Sequence, residues 1–209
     1  PPGRSLLLSM VLRPRTDARS ASLLTLLCGA ALAEAIRETT GCDARVKWPN
    51  DVLMRGRKVS GILAQAILRG NAADCVILGV GLNVNQTEEE LPPDCRDIAT
   101  SLRIERGRRV SRVAALRCFV SRWNAHFSAF SEGGCPYLRE KWIENNLTLG
   151  REITVHGDDG PRYGTAVDIS ERGGLIVRFP GGSCEEFLAG DVSLGRAYYE
   201  NMLYMRTGI

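Results

Sequence analysis

Apolar and polar positions alternate along this chain in two textures that meet near Leu149-Gly150. The run Ser5–Leu12 (SLLLSMVL) lacks a helical period and is closed by Arg13-Pro14, which predicts a short buried strand. From Asp17 or Ser20 to Arg37 Leu and Ala dominate, and Gly41 supplies a stop, so a long buried helix is expected. Residues 44–48 and 59–68 read as strands flanking turn signals at Asn50-Asp51 and Arg55-Gly56. Residues 75–84 (CVILGVGLNV) form a further apolar strand that runs into a polar loop at 85–97. Ser111 is placed to cap a helix whose apolar positions Val113, Ala114, Leu116, Phe119, Val120, Trp123 and Phe127 follow helical spacing. A second helix is expected from Pro136, an N1-type proline, to about residue 145.

Beyond Gly150 the pattern shortens. Residues 152–155, 163–168, 175–179 and 184–188 are brief strands separated by Gly-Asp-Asp-Gly, Arg-Gly-Gly and Pro-Gly-Gly turns. The stretch 190–194 is expected to close a small SH3-like β-barrel. The fold class is therefore α+β: a mixed β-sheet with packed helices over residues 1–147, followed by the barrel over 148–209.

With 209 residues and a hydrophobic share of 44%, the chain is long and apolar enough for a real core. Its net charge of +3 is too small to imply a nucleic-acid footprint, and the cluster Arg103, Arg106, Arg108, Arg109 and Arg112 reads as a solvated surface. Glu88-Glu89-Glu90 likewise reads as a solvated loop. Seven scattered cysteines without a CxxC pair, and two histidines, argue against zinc and for a reducing compartment. The most apolar window, residues 23–33, is about half the length of a membrane span. Pro1-Pro2-Gly3 has neither an initiating Met nor a charged leader, so the chain reads as the remainder of something longer.

The candidate chemistry lies in RVKWPNDVLMRGRKVSGILAQA, residues 45–66. Read one at a time, Trp48 is core, Pro49 a turn former and a lysine a solvated charge. Together, Lys47 and Lys58 bring two cations near one point if the segment folds as a hairpin, with Asn50 and Asp51 at its mouth. Gly61 removes a side chain where something must come close. A second element, GVGLNVN, carries Gly79, Gly81, Asn83 and Asn85; alternate glycines bare one strand face, and Asn offers both a donor and an acceptor. It is no dinucleotide fingerprint, because no helix with GxGxxG spacing follows.

KWPND at residues 47–51, RKVSGIL at 57–63 and GVGLNVN at 79–85, in that order and spacing, resemble the biotin protein ligase family, the biotin-[acetyl-CoA-carboxylase] ligases or holocarboxylase synthetases. PPGRSLLLSM resembles the family's strand after its glycine- and arginine-rich loop, and the C-terminal region its small barrel, so the resemblance covers nearly the whole chain. It implies a fold like that of class II aminoacyl-tRNA synthetases and the biotin and lipoate ligases. It also implies a two-step reaction: biotin and ATP give biotinyl-5′-AMP and pyrophosphate, and a lysine of a biotin carboxyl carrier domain then takes the biotin. Catalytic roles fall on Lys58, which would hold the biotin carboxylate and the phosphoryl charge, and on Asp51, which would orient the acceptor amine. Gly61, Ile62, Leu63 and Ala64 would line the biotin site with Lys58. Asn50, Asp51, Asn83 and Lys47 would face ATP, with Mg²⁺ accompanying the polyphosphate and no dedicated protein metal site.

The resemblance further implies a cytoplasmic or organellar enzyme, a possible homodimer, no membrane contact and no nucleic acid bound by this chain. The family's glycine-arginine loop, its ureido-ring contacts and an aromatic over the adenine belong before residue 1, so these 209 residues alone are expected to be catalytically impaired. A non-catalytic module of the same fold, binding biotin or biotinyl-AMP, is the alternative. A biotin-responsive repressor would need a helix-turn-helix that is not in this chain. Lipoate ligases share the fold class, but the pairing of KWPND with RKVSGIL favours biotin.

Overall fold

Short connections dictate the main sheet. The computed structural model describes residues 2–13, 20–69, 72–157, 160–195 and 198–199. β1 (Ser5–Leu12) leads to α1 (Ser20–Thr40), then to β2 (Arg45–Lys47), β3 (Asp51–Met54), β4 (Arg57–Arg69) and β5 (Ala72–Asn83). The spatial order is β1-β5-β4-β3-β2, and every ladder in it is antiparallel. A mixed sheet was expected; the parallel component is confined to two isolated bridges, Val46 to Asn146 and Lys58 to Ala99. For β2 to β5 the reason is geometric, since strands joined by a few residues can only turn back on one another. β3 enters β4 through Arg55 and Gly56, both at positive φ (46° and 78°), the conformation a two-residue type I′ hairpin requires. β3 itself is an addition to the sequence reading, which took Asn50-Asp51 for a turn; the turn is Trp48-Pro49-Asn50, with a cis Trp48-Pro49 bond, and Asp51 already pairs. The alternative start of α1 at Asp17 lies outside the described residues.

One face of this sheet carries the core. Ile62, Leu78, Val80 and Leu82 are buried there with the apolar side of α1. Gly29 allows the close approach, because a Cβ on it would stand 3.1 Å from a Val46 methyl. The opposite face stays open, with Leu7 81% and Leu63 72% exposed.

α2 (Leu102–Arg106) and α3 (Arg112–Asn145) follow, both with serine N-caps: Ser101 accepts from the Ile104 amide and Ser111 from that of Ala114. α2 was not anticipated. α3 is two helices joined at Gly134, which leaves helical geometry (φ 59°) just before Pro136, as the sequence predicted. Phe119, Trp123, Leu138 and Trp142 complete the core. Where α3 meets α1 a polar chain is enclosed: the His126 ring nitrogens lie 2.7 Å from the Tyr137 hydroxyl and 2.9 Å from Glu34 Oε2. Asn145 donates to the other Glu34 oxygen and accepts from Arg37, which also donates to the Ala44 carbonyl.

The C-terminal strands β6 (Glu152–Gly157), β7 (Gly160–Ile169), β8 (Leu175–Arg178), β9 (Cys184–Phe187) and β10 (Asp191–Leu194) form a second antiparallel sheet, in the order β10-β6-β7-β8-β9. No ladder joins β9 to β10 among the described residues, so the hydrogen-bonded sheet has two edges where a closed barrel was expected. The connecting residues Leu188, Ala189 and Gly190 instead face α1 and the Trp48-Pro49 turn across a small cavity. Trp48, 1% exposed, ties the two sheets together: its amide donates to Thr148 Oγ1 at 2.9 Å and its indole N–H to the Gly173 carbonyl at 3.0 Å. Among the described residues no helix is long and apolar enough to cross a membrane.

The enclosed chain between α1 and α3 has a pH signature. The His126 hydrogen bond, with help from Asn145 and Arg37, holds the Glu34 carboxyl below its ordinary range against the opposing effect of burial. A depressed carboxylate stabilises the fold above its unfolded pKa, about 4.3, and loses that contribution as pH falls through the folded value. Glu34→Gln is therefore expected to be less stable than the parent at neutral pH, with the gap closing as the pH drops below about 4. Urea midpoints across pH 3–7 check this; a gap independent of pH would refute it.

Candidate active site

The site is one transverse row of the first sheet. Lys47 on β2 stands opposite Asp51 on β3, Asp51 opposite Gly61 on β4, Gly61 opposite Gly81 on β5, and Gly81 opposite Leu7 on β1. Because side chains alternate faces along a strand, this row projects onto the open face. Two adjacent glycines at its centre make a bare floor. Gly79, opposite Leu63 and Ser9, widens it.

Lys58 reaches this face through an irregularity. Val52 pairs with Ser60 and Leu53 with Lys58, so Val59 is an extra residue in β4. In a regular strand Lys58 would share the buried face of Ser60 and Ile62; the bulge turns it to the face of Gly61. Its ammonium lies 2.6 Å from Asp51 Oδ1, with the lysine side chain 48% exposed and that of the aspartate 16%. Gly61 is what admits this pair. A Cβ there would sit 3.1 Å from Lys58 Cε, 3.2 Å from its Nζ and 3.7 Å from Asp51 Oδ1. That Oδ1 is itself buried, and the Lys58 ammonium is the cation that faces it.

Beside the pair runs an open groove of about 490 Å³, walled by Leu7, Asn50, Gly61, Ile62, Leu63 and Gly81 among others. That volume is of small-ligand scale. Asn50 braces its rim: its side-chain amide donates to the Ile62 carbonyl at 3.0 Å, and the Ile62 amide donates to the Asn50 carbonyl at 2.9 Å. The main chain of Ile62 is thus committed to Asn50 and its side chain to the core. Ala64 lines the neighbouring cavity of about 180 Å³ rather than the groove. Asn83 lies at the β1 end of the floor, opposite Ser5, with both ends of its amide engaged: Nδ2 donates to the Thr100 carbonyl and Oδ1 accepts from Gln86. Lys47, Asp51, Lys58 and Gly61 are thus brought together, Gly61 alone of the four lining the groove, and Asn83 and Ala64 also lie outside its lining.

Several supporting residues went unread in the sequence. Arg57, beside Lys58, donates to Glu88 and Glu105, and Gln86 joins Ser5 to Asn83. The acidic triplet is therefore more than a solvated loop, since Glu88 pairs with Arg57 and Glu90 with Arg4; Glu89 stays exposed. Among the described residues no cluster of three or more His, Cys, Asp or Glu could hold a metal ion.

The row thus sets a lysine–carboxylate pair on a bare strand floor beside a groove of small-ligand size, and comparison with known proteins gives the family. The model of the biotin/lipoate A/B protein ligase family matches residues 1–83, and that of the biotin protein ligase C terminal domain matches 148–195. Biotin--[acetyl-CoA-carboxylase] ligase of Paracoccus denitrificans is 30% identical over 186 residues, covering 83% of this chain and 74% of that protein. The chain belongs to the biotin protein ligase family. The structure of the Aquifex aeolicus biotin protein ligase in complex with biotin and ATP is 32% identical with a TM-score of 0.77, over 92% of this chain and 78% of that one. The bifunctional ligase/repressor BirA of Bacillus subtilis is 29% identical over 92% of this chain, which spans only 59% of that relative's length.

Gly61→Ala tests the geometry directly. The new methyl group meets the flexible end of Lys58, so the fold should be destabilised by under about 1 kcal/mol while the lysine is driven off Asp51. A crystal structure of the variant, read with its melting curve, checks both; an ion pair still at its original separation would show that Gly61 is not its spacer.

Proposed function

We propose that this chain is the catalytic part of an ATP-dependent biotin protein ligase, with residues 1–147 as the catalytic unit and 148–209 as a C-terminal unit. The observation that carries the reading is the Lys58 ammonium held over the Gly61–Gly81 floor with Asp51 beside it. In the first step a biotin carboxylate oxygen bonds to the α-phosphorus of ATP, and the bond to the β-phosphate breaks with departure of pyrophosphate. Two anions must meet. A fixed cation at the meeting point lowers that barrier more than it would in water, because the charge needs no reorganisation. Lys58, about half exposed beside Asp51, is placed to share its charge with the carboxylate and the developing phosphoryl group. Mg²⁺ arrives as part of the ATP substrate, held by phosphates and water, in keeping with its reluctance to dehydrate.

In the second step a carrier lysine nitrogen attacks the acyl carbon, AMP leaves with the bonding pair, and the amine sheds a proton. Asp51, beside Lys58 on the open face, is the group placed to accept it or to orient the amine. A carboxylate of ordinary basicity is a weak base for an ammonium, so positioning is its larger contribution. Leu7, Gly61, Leu63 and Gly79 form the apolar wall for biotin, while Asn50 and Lys47 approach the phosphates. The name of the Paracoccus relative points to acetyl-CoA carboxylase as the source of the carrier domain.

The full-length protein is to be incubated with biotin, MgATP and an apo carrier domain, with pyrophosphate release and carrier biotinylation followed separately. Lys58→Ala should lower pyrophosphate release by at least about 100-fold, the scale of a lost electrostatic contact to the transition state. Asp51→Asn should slow biotin transfer more than adenylate formation. Biotin binding by the parent chain without pyrophosphate release would favour a non-catalytic binding module instead, and unaltered activity in Lys58→Ala would remove Lys58 from the mechanism.

A further inference from the structure

β5 ends its pairing with β4 at Ser60 and Leu82, two residues short of Lys58. The vacated edge of β4 is taken by residues 98–100: the Lys58 amide donates to the Ile98 carbonyl at 2.7 Å, and the Thr100 amide donates to the Lys58 carbonyl at 2.9 Å. This is also where the Val59 bulge releases Lys58 from a regular ladder, so its direction depends on what holds that edge. The edge segment is anchored from behind by a buried cluster. Thr100 Oγ1 donates to Glu105 Oε1 at 2.6 Å, and Arg57 Nη2 donates to the same oxygen at 2.9 Å. Arg57 Nη1 reaches Glu88 at 3.2 Å, and the Arg55 guanidinium lies 3.8 Å from Glu105 Oε2. The Arg57 and Glu105 side chains are 8% and 3% exposed, and Thr100 is fully buried.

We infer that Arg57, Glu105 and Thr100 are positioning residues that set where the Lys58 ammonium sits, by locking residues 98–100 onto the free edge of β4. None of the three lines the groove. A buried ion pair adds little net stability over an apolar replacement, because desolvation offsets its attraction. What a closed charge network adds is a single allowed arrangement. Here the arrangement is shared with the main chain of Lys58: Arg57 is its covalent neighbour and Thr100 its hydrogen-bond partner, and Glu105 joins the two. A lysine directed by a bulge and held by this cluster meets its anion in one orientation.

The kinetic part of this inference rests on the proposed ligase activity; its structural part does not. Thr100→Val removes the hydroxyl at nearly constant volume, and Thr100→Ser keeps it. Amide hydrogen exchange at Lys58 and Thr100, referenced to amides of the β1–β5 ladder, reports the edge. Steady-state pyrophosphate release gives kcat and the KM for biotin. Thr100→Val should speed exchange at both amides at least about tenfold while leaving the reference amides unchanged, since local opening needs less free energy than global unfolding. Its kcat should fall about 10- to 100-fold, the scale of a catalytic group misplaced by an ångström, with KM for biotin held within about threefold. Thr100→Ser should restore both readouts. Should Thr100→Val fail to fold, Arg57→Lys, which keeps the charge and loses the fork, is expected to show the same division. Unchanged exchange in the folded variant, faster exchange with unaltered kcat, or equal losses in the Val and Ser variants would each overturn the positioning role. A full-length protein that releases no pyrophosphate would sink the ligase reading, while the exchange comparison would still decide whether the cluster holds the edge.

Discussion

The close approach of the Lys58 ammonium to the Asp51 carboxylate above a β-strand requires that the strand beneath have no side chain, and Gly61 meets that condition. Everything around the pair serves the same constraint. Gly81 lies across from Gly61, so the bare patch is two strands wide, and the register of four antiparallel pairings aligns Lys47, Asp51, Gly61, Gly81 and Leu7 in one row. A slip of one residue in any of those pairings would carry half the row to the buried face. Register is protected by that buried face, where Ile62, Leu78, Val80 and Leu82 pack with α1 and cannot change sides without exposing the core. The hydrophobic core therefore specifies the chemistry indirectly, by fixing which residues share a row.

The pair contributes little to holding the fold together. A lysine side chain about half exposed, opposite one carboxylate, is worth about 0–1 kcal/mol at a protein surface. Its value is electrostatic readiness. In the proposed reaction, an ammonium matched to a single carboxylate on a floor without competing side chains would face the two further anions that have to meet there. Glu34 illustrates the contrasting case: its carboxylate is enclosed between α1 and α3, joined to His126 and Asn145, and serves the packing of helices.

How much of this was legible in the sequence follows from the physics of each feature. Alternation of apolar residues disclosed β1, β4, β5 and the C-terminal strands, and serine caps disclosed the start of α3, because these signals are local. KWPND, RKVSGIL and GVGLNVN pointed to the candidate site through their order. The mixed sheet was misjudged because pairing direction depends on connection length, and β3 had been spent on a turn. The bulge at Val59 has no local signature, since Val is an ordinary strand residue. The same is true of Arg57: its partners Glu88 and Glu105 are 31 and 48 residues away, and only the fold brings them together.

The second sheet bears on the site through Trp48. Its amide and its indole are both hydrogen-bonded to residues beyond the C-terminal end of α3, at Thr148 and Gly173, while the next two residues, Pro49 and Asn50, form the turn that rims the groove. Asn50 then exchanges two hydrogen bonds with Ile62, one residue from Gly61. The rim of the groove is thus held from one side by the C-terminal sheet and from the other by β4, whose own free edge is held by residues 98–100. Three segments far apart in sequence converge on the strand that carries Lys58. A site built this way gains its precision from the agreement of several rigid elements. That is consistent with a lysine whose direction no single local signal in the chain determines.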